Sequence, residues 1–244
     1  MTPRLHLPGP LAPGEHRTLE RETSHYLCRV LRLAGGDPVE VFDGGGVRHA
    51  ASIARPDARA CALLIGERLP SGAESPLRIT LAQCVSAGEK MDWTIEKAVE
   101  LGVAAIAPLT SQRSVVRLDG ERTRKRAEHW QRIVVAACMQ CGRDLLPELH
   151  PAQPLAAWIG RPSDALRLAL VPGARTRLAE LPPPAGDAPA IELLVGPESG
   201  LSDEEVRLAV QCGFVPVSLG PRVLRTETAG LAAIAALQSR FGDL

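Results

Sequence analysis

Ile191-Glu192-Leu193-Leu194-Val195-Gly196-Pro197-Glu198-Ser199-Gly200 joins a strongly apolar run to a Gly/Pro-rich loop that carries charge. The pattern returns at Val215-Pro216-Val217-Ser218, which runs into Leu219-Gly220-Pro221-Arg222-Val223-Leu224-Arg225-Thr226-Glu227-Thr228-Ala229. Short apolar runs bounded by turn residues are the pattern of strands buried on both faces. In an open α/β sheet ligands bind outside the carboxyl ends of the strands, so both loops belong in one crevice.

Outward from these two strands the chain alternates. Leu77–Val85, Val103–Leu109 and Ala165–Val171 read as further strands. Glu89–Leu101 reads as a helix, with Met91, Ile95 and Ala98/Val99 at helical spacing and Gly102 as its stop. Helices are also predicted over Glu121–Cys141, Leu155–Ile159, Asp203–Gln211 with Ser202 as cap, and Thr226–Arg240, where Thr226 or Thr228 is the candidate N-cap. Alternating β and α implies a parallel sheet covered on both faces. Pro70–Pro76 reads as a linker. Before it lies a β-rich stretch with strand runs at Pro38–Phe42 and Ala60–Ile65, turns at Gly35–Asp37 and Asp43–Gly46, and one helix over Glu22–Val30 capped by Thr23 or Ser24.

The length of 244 residues suits one large or two modest domains. Lys+Arg and Asp+Glu are both 28, so net charge does not argue for a nucleic-acid partner. Local charge does: Ser111–Arg132 holds seven basic residues (Arg113, Arg117, Arg122, Arg124, Lys125, Arg126, Arg132) against three acidic ones. A solvated helix face is the bland account of the same run. Cysteines scattered at 28, 61, 84, 138, 141 and 212 point to a reducing, cytoplasmic compartment, and the N-terminus has no apolar signal region. No apolar run approaches the ~20 residues that span a bilayer.

The motifs exclude several chemistries. Gly196–Gly200 lacks the Gly-Lys-Ser/Thr ending of a P-loop and the spacing of a dinucleotide fingerprint. Cys138-Met139-Gln140-Cys141 has no second ligand pair, so it reads as helix packing and no metal is expected. No nucleophile elbow or triad is present. Capping accounts for Thr226-Glu227-Thr228, but not for Arg222 and Arg225 beside Val223 and Leu224.

Those loops, together with Gly88–Val103, Ala136–Arg143 and His25–Leu33, resemble the RsmE family of ribosomal RNA methyltransferases in the SPOUT superfamily. The resemblance covers nearly the whole chain. It implies a PUA-like RNA-binding β-barrel over 1–72 and an α/β methyltransferase domain over 73–244 whose end is threaded into a trefoil knot. It further implies a homodimer, S-adenosylmethionine as methyl donor, and methylation of N3 of one uridine in 16S rRNA within the small subunit. Two positions depart from the family. Ser199 stands where Gly is usual and adds a side chain at the ligand loop; Met139 stands where Glu is usual, so a carboxylate there is not essential.

By the same resemblance the donor lies among Leu170, Val171, Gly196, Pro197, Glu198, Gly200, Leu219, Gly220, Val223, Leu224 and Arg225. Uracil N3 carries a proton and is a poor nucleophile until that proton is lost, so a base or an anion-stabilising cation is required. Arg225 is the candidate cation, and Glu227 or Glu198 the candidate proton acceptor. A cysteine nucleophile is needed for C5 methylation but not for N3 attack. Arg4, Arg17, Arg29, Arg32, Arg113, Arg117, Arg124, Arg143 and Arg222 are the candidate RNA contacts. The alternatives are a non-catalytic RNA-binding protein on this fold, and a knotted methyltransferase acting on ribose 2′-OH or on tRNA.

Overall fold

The computed structural model describes residues 2–70, 72–114, 120–184, 186 and 189–244. The chain divides into two units. One holds the residues up to Glu74 together with Cys138–Leu146; the other holds Ser75–Ala137 and Pro147–Leu244.

In the first unit five strands, β1 (Arg4–His6), β2 (His16–Thr18), β3 (Pro38–Phe42), β4 (Arg48–Arg55) and β5 (Ala62–Leu69), form one sheet in the order β1-β3-β4-β5-β2. Only the β1–β3 pairing is parallel. Leu5, Val39, Val41, Ile53, Leu63 and Ile65 build its core. β4 escapes the sequence reading because its inward residues are His49, Ala51 and Ile53, only one of them a large aliphatic. The buried His49 ring hydrogen-bonds the Gly66 carbonyl at 3.0 Å, which makes a polar residue acceptable there.

The helix expected over Glu22–Val30 differs in detail. It starts as α1 (Arg21–His25) and widens into a π-helical turn over Tyr26–Val30. Neither Thr23 nor Ser24 caps it; Glu20 occupies the N-cap with no side-chain bond. Ser24 lies inside the helix, where its hydroxyl donates to the Leu19 carbonyl at 3.2 Å and accepts from the Cys61 amide at 2.9 Å. Tertiary packing, not capping, uses that serine.

Cys138–Leu146 belongs to this unit through buried charge. Arg4 reaches Asp144 at 2.6 Å, and Arg143, 3% exposed, reaches Glu74 at 2.6 Å. Burial raises the Asp144 carboxyl's pKa, offset in part by Arg4 and Arg48. Met139 packs against the unit's apolar core, which explains an uncharged residue at that position. Cys138 is fully buried and its thiol is pushed up to about 12 by that burial, as suits a packing residue.

The second unit carries an eight-stranded sheet: β6 (Arg78–Cys84), β7 (Ala105–Thr110), β8 (Glu148–Leu149), β9 (Gln153–Pro154), β10 (Leu166–Leu170), β11 (Thr176–Arg177), β12 (Ala190–Val195) and β13 (Val215–Ser218). The order is β11-β13-β10-β12-β6-β7-β8 with β9 also on β7, and every pairing is parallel. The helices are α2 (Lys90–Glu100), α3 (Gly120–Cys141, whose residues from Cys138 on belong to the first unit), α4 (Leu155–Ile159), α5 (Asp203–Gln211) and α6 (Thr226–Phe241). Ala82 and Cys84 of β6 share a core with Leu155 and Ile159 of α4 and Ala209 of α5. Leu81, on the opposite face of the same strand, meets α6 at Gly230, where an added Cβ would come 3.4 Å from Leu81 and from Val195. Helices thus cover both faces, as the alternating pattern requires. Among the described residues no helix is long and apolar enough to cross a membrane.

Candidate functional site

Strands β13, β10, β12 and β6 are neighbours in that order and all run the same way. Their exits therefore bring four loops together: 219–225, 171–175, 196–202 and 85–89. A cavity of about 360 Å³ opens between the first three. Leu170, Val195, Leu201, Val206, Val217 and Leu224 contribute apolar lining, and Glu198, Ser218, Arg222 and Thr226 contribute polar groups. Val171, Gly196, Pro197, Gly200, Leu219, Gly220 and Val223 also border it.

The loops hold their shape for identifiable reasons. Gly200 sits at φ 73° and its amide donates to the Pro197 carbonyl at 2.8 Å, closing a turn that favours glycine. Beyond it Ser202 and Glu205 form a reciprocal capping box at the start of α5. Gly196 is glycine for space: an added Cβ would lie 2.9 Å from the Leu201 amide nitrogen. Gly196→Ala is expected to force this loop outward, weaken donor binding and lower stability by about 1–3 kcal/mol. Calorimetry with the methyl donor and a thermal melt would measure both; wild-type values for both would remove the steric argument.

Thr226 has a role that helix capping did not anticipate. The N-cap of α6 is Arg225, which makes no side-chain cap bond. The Thr226 hydroxyl instead donates to the Gly196 carbonyl at 2.6 Å and accepts from the Gln83 amide at 2.9 Å. Thr226 so fastens the start of α6 to the loop after β12 and to the end of β6. Thr228, the other candidate cap, is inside the helix; its amide donates to the Arg225 carbonyl at 2.9 Å.

Beside the cavity lies a charged group that local sequence did not single out. The Lys90 ammonium is 3.6 Å from Glu198 and 4.0 Å from Glu227. Burial tends to raise the Glu198 carboxyl, but its own backbone amide, the Ala87 amide at 3.1 Å and Lys90 outweigh it and leave the pKa below the usual value. One oxygen of Glu227 is buried with no hydrogen-bond partner among the described residues. The hydroxyl of Ser86, 3% exposed, is likewise unpartnered.

The other candidates distribute unevenly. Arg225 is exposed and is not among the residues lining the cavity. Arg222 is exposed at the cavity. Arg4 and Arg143, expected as RNA contacts, are held in the ion pairs of the first unit. Arg17 pairs with Glu15 and donates to the Pro10 carbonyl at 2.6 Å. Arg29 and Arg32 are exposed, and Arg32 has a left-handed φ of 58°. Arg113 donates to the Ser199 carbonyl at 3.3 Å, and the Ser199 hydroxyl donates to the Arg113 carbonyl at 3.4 Å. The extra side chain of Ser199 is therefore engaged with Arg113. Arg124 is exposed and pairs with Glu128 at 3.6 Å. Arg117 lies outside the described residues.

A family model described as an RNA methyltransferase domain matches residues 73–238, and one described as an RNA methyltransferase PUA domain matches residues 19–65. The chain is 35% identical over 243 residues to the ribosomal RNA small subunit methyltransferase E of Buchnera aphidicola subsp. Schizaphis graminum, covering 99% of this chain and 98% of that protein. A solved methyltransferase structure from Legionella pneumophila, in complex with SAM, superposes with a TM-score of 0.94 at 39% identity over 100% of both chains. The ribosomal RNA small subunit methyltransferase E of Neisseria gonorrhoeae, bound to S-adenosyl methionine, gives 0.92 at 39% identity, covering 100% of this chain and 99% of that one.

Proposed function

This chain belongs to the ribosomal RNA small subunit methyltransferase E family, and on that footing we propose that it methylates N3 of one uridine of 16S rRNA in the small subunit, with S-adenosylmethionine as donor. The observation that carries the reading is the cavity at the strand ends with a carboxylate–ammonium set beside it. A volume of about 360 Å³ is of the size that encloses a small cofactor. The residues fit this donor. Apolar walls suit an adenine ring, glycines let the backbone approach it, and the Glu198 carboxylate in the lining suits a cationic sulfonium. When bound, S-adenosylmethionine supplies an electrophilic methyl group.

The chain's own residues supply the rest. Glu198 is held ionised by amides and Lys90, which makes it a weak base and a good electrostatic partner for the donor. Glu227, with an unpartnered buried oxygen, is the better proton acceptor for N3–H.

The wider reading has residues 1–72, which contain the stretch 19–65 matched by the PUA model, as the RNA-gripping domain and 73–244 as the methyltransferase domain, with Cys138–Leu146 returning to the first unit. Exposed Arg29, Arg32 and Arg222 remain the arginines best suited to phosphate, and affinity for RNA would fall with salt. A trefoil knot suits the way Thr226 ties the segment after β13 to the loop after β12. A homodimer would give cover to Val223, 79% exposed beside the cavity.

The test is methyl transfer from labelled donor to unmodified small subunits, followed by nucleoside mass spectrometry. A 3-methyluridine product is expected. A 2′-O-methylated nucleoside or a tRNA product would replace the substrate, and donor binding without transfer to any RNA would favour the non-catalytic alternative.

A further inference from the structure

We propose that Lys90 is a catalytic residue that, with Glu227, reads the imide edge of the target base: Lys90 donates to a carbonyl oxygen beside N3 while Glu227 accepts the N3–H. This rests on the N3-uridine reading above and assigns the cation that the reaction needs.

Lys90 opens α2, directly after the loop that leaves β6, and Thr94 donates to its carbonyl at 2.8 Å. Its ammonium is drawn to two carboxylates, yet at 3.6 and 4.0 Å neither contact is a hydrogen bond. Among the described residues the Lys90 ammonium is thus oriented by charge, with Glu198 its nearer partner. Beside it stands Glu227, one of whose oxygens is buried without a hydrogen-bond partner among the described residues. A buried polar atom without a protein partner is rare in folded proteins, and a catalytic role is one physical reason for it. A donor beside an acceptor is the complement of one half of a uracil edge, where a carbonyl stands next to N3–H. Cytosine presents a bare N3 in the same place, so it would set a lone pair against the carboxylate.

The step balances on these groups. The N3–H proton passes to Glu227. The N3 electron pair forms the new N–CH3 bond as the S–CH3 bond of the donor breaks, and sulfur keeps that bonding pair. Negative charge developing on the ring spreads to the two carbonyl oxygens, where an ammonium is worth most. Arg225, the cation the sequence suggested, is exposed and outside the cavity lining, whereas Lys90 lies against both carboxylates.

The experiment uses the full chain, unmodified small subunits and the variants Lys90→Met, Lys90→Arg and Arg225→Ala. Wild-type formation of 3-methyluridine is the control that keeps failure of this inference separate from failure of the function. Lys90→Met is expected to lose about tenfold or more in kcat, with donor affinity kept within about threefold and a melting temperature within about 2 °C. Lys90→Arg should recover part of that loss, and Arg225→Ala should lose less than Lys90→Met. Subunits rebuilt with cytidine at the target position should stay unmethylated. A kcat loss below about tenfold, a matching loss of donor affinity or folding, or methylation of the cytidine substrate would each overturn the assignment.

Discussion

Glu227→Gln is expected to lower turnover by about 10²–10⁴, the range lost when a positioned proton acceptor is removed. The amide keeps the size of the side chain and its place in the first turn of α6. Donor affinity should hardly change, because Glu227 is not among the residues bordering the cavity. Glu198→Gln is expected to behave in the opposite sense. It borders the cavity and is already engaged by the Ala87 amide and Lys90, so its loss should weaken donor binding more than it slows the chemical step. Single-turnover rates together with donor binding isotherms separate the two. If Glu198→Gln carries the larger loss in the chemical step and Glu227→Gln the larger loss in binding, the roles are reversed. The sequence leaves this choice open, and the expected difference rests on where the two carboxylates stand relative to the cavity.

The second unit was readable because its strands are buried on both faces and so appear as continuous apolar runs. Leu155–Ile159, Asp203–Gln211 with its Ser202 cap, and Val215–Ser218 match the expected bounds. The strands at Glu148–Leu149, Gln153–Pro154 and Thr176–Arg177 went unseen since two residues have no period to detect. In the first unit, β4 was hidden by an inward histidine, and the return of Cys138–Leu146 was hidden because its ties are ion pairs to residues far away in the chain. The cavity loops were legible from glycine, proline and strand ends. Lys90 was not, for a lysine in the first turn of a helix has the pattern of any solvated charge. It reaches Glu198 and Glu227 only because the sheet order sets β6 beside β12, a fact of topology and not of local composition. Thr226 misled for a related reason: a threonine at a helix start fits capping, and the tertiary hydrogen bonds to Gly196 and Gln83 override it.

Glu192→Ala is expected to destabilise the second unit by about 3–5 kcal/mol, the cost of leaving buried charge without its partner. Glu192 is 4% exposed on β12, directly opposite Arg167 of β10 in the ladder. Its carboxylate accepts from Arg161 at 2.6 Å, Ser163 at 2.6 Å and Arg167 at 3.1 Å. Arg167 is only 7% exposed; it also donates to the carbonyls of Ile159, Cys212 and Arg161 and lies over the Phe214 ring. Removing the carboxylate strands that guanidinium, whereas Arg161, 31% exposed in its side chain, can turn outward. A drop in melting temperature of roughly 6–20 °C is expected for a chain of this size. The paired change Glu192→Leu with Arg167→Met should cost much less, since it removes both charges and keeps the volume. Both variants should bind donor normally at temperatures where they are folded, because none of the substituted residues borders the cavity. A Glu192→Ala protein that melts within about 2 °C of wild type would mean that Arg167 is satisfied by its carbonyl partners alone. The network would then contribute orientation of β10 against β12, and through it the alignment of the two cavity loops, without contributing stability.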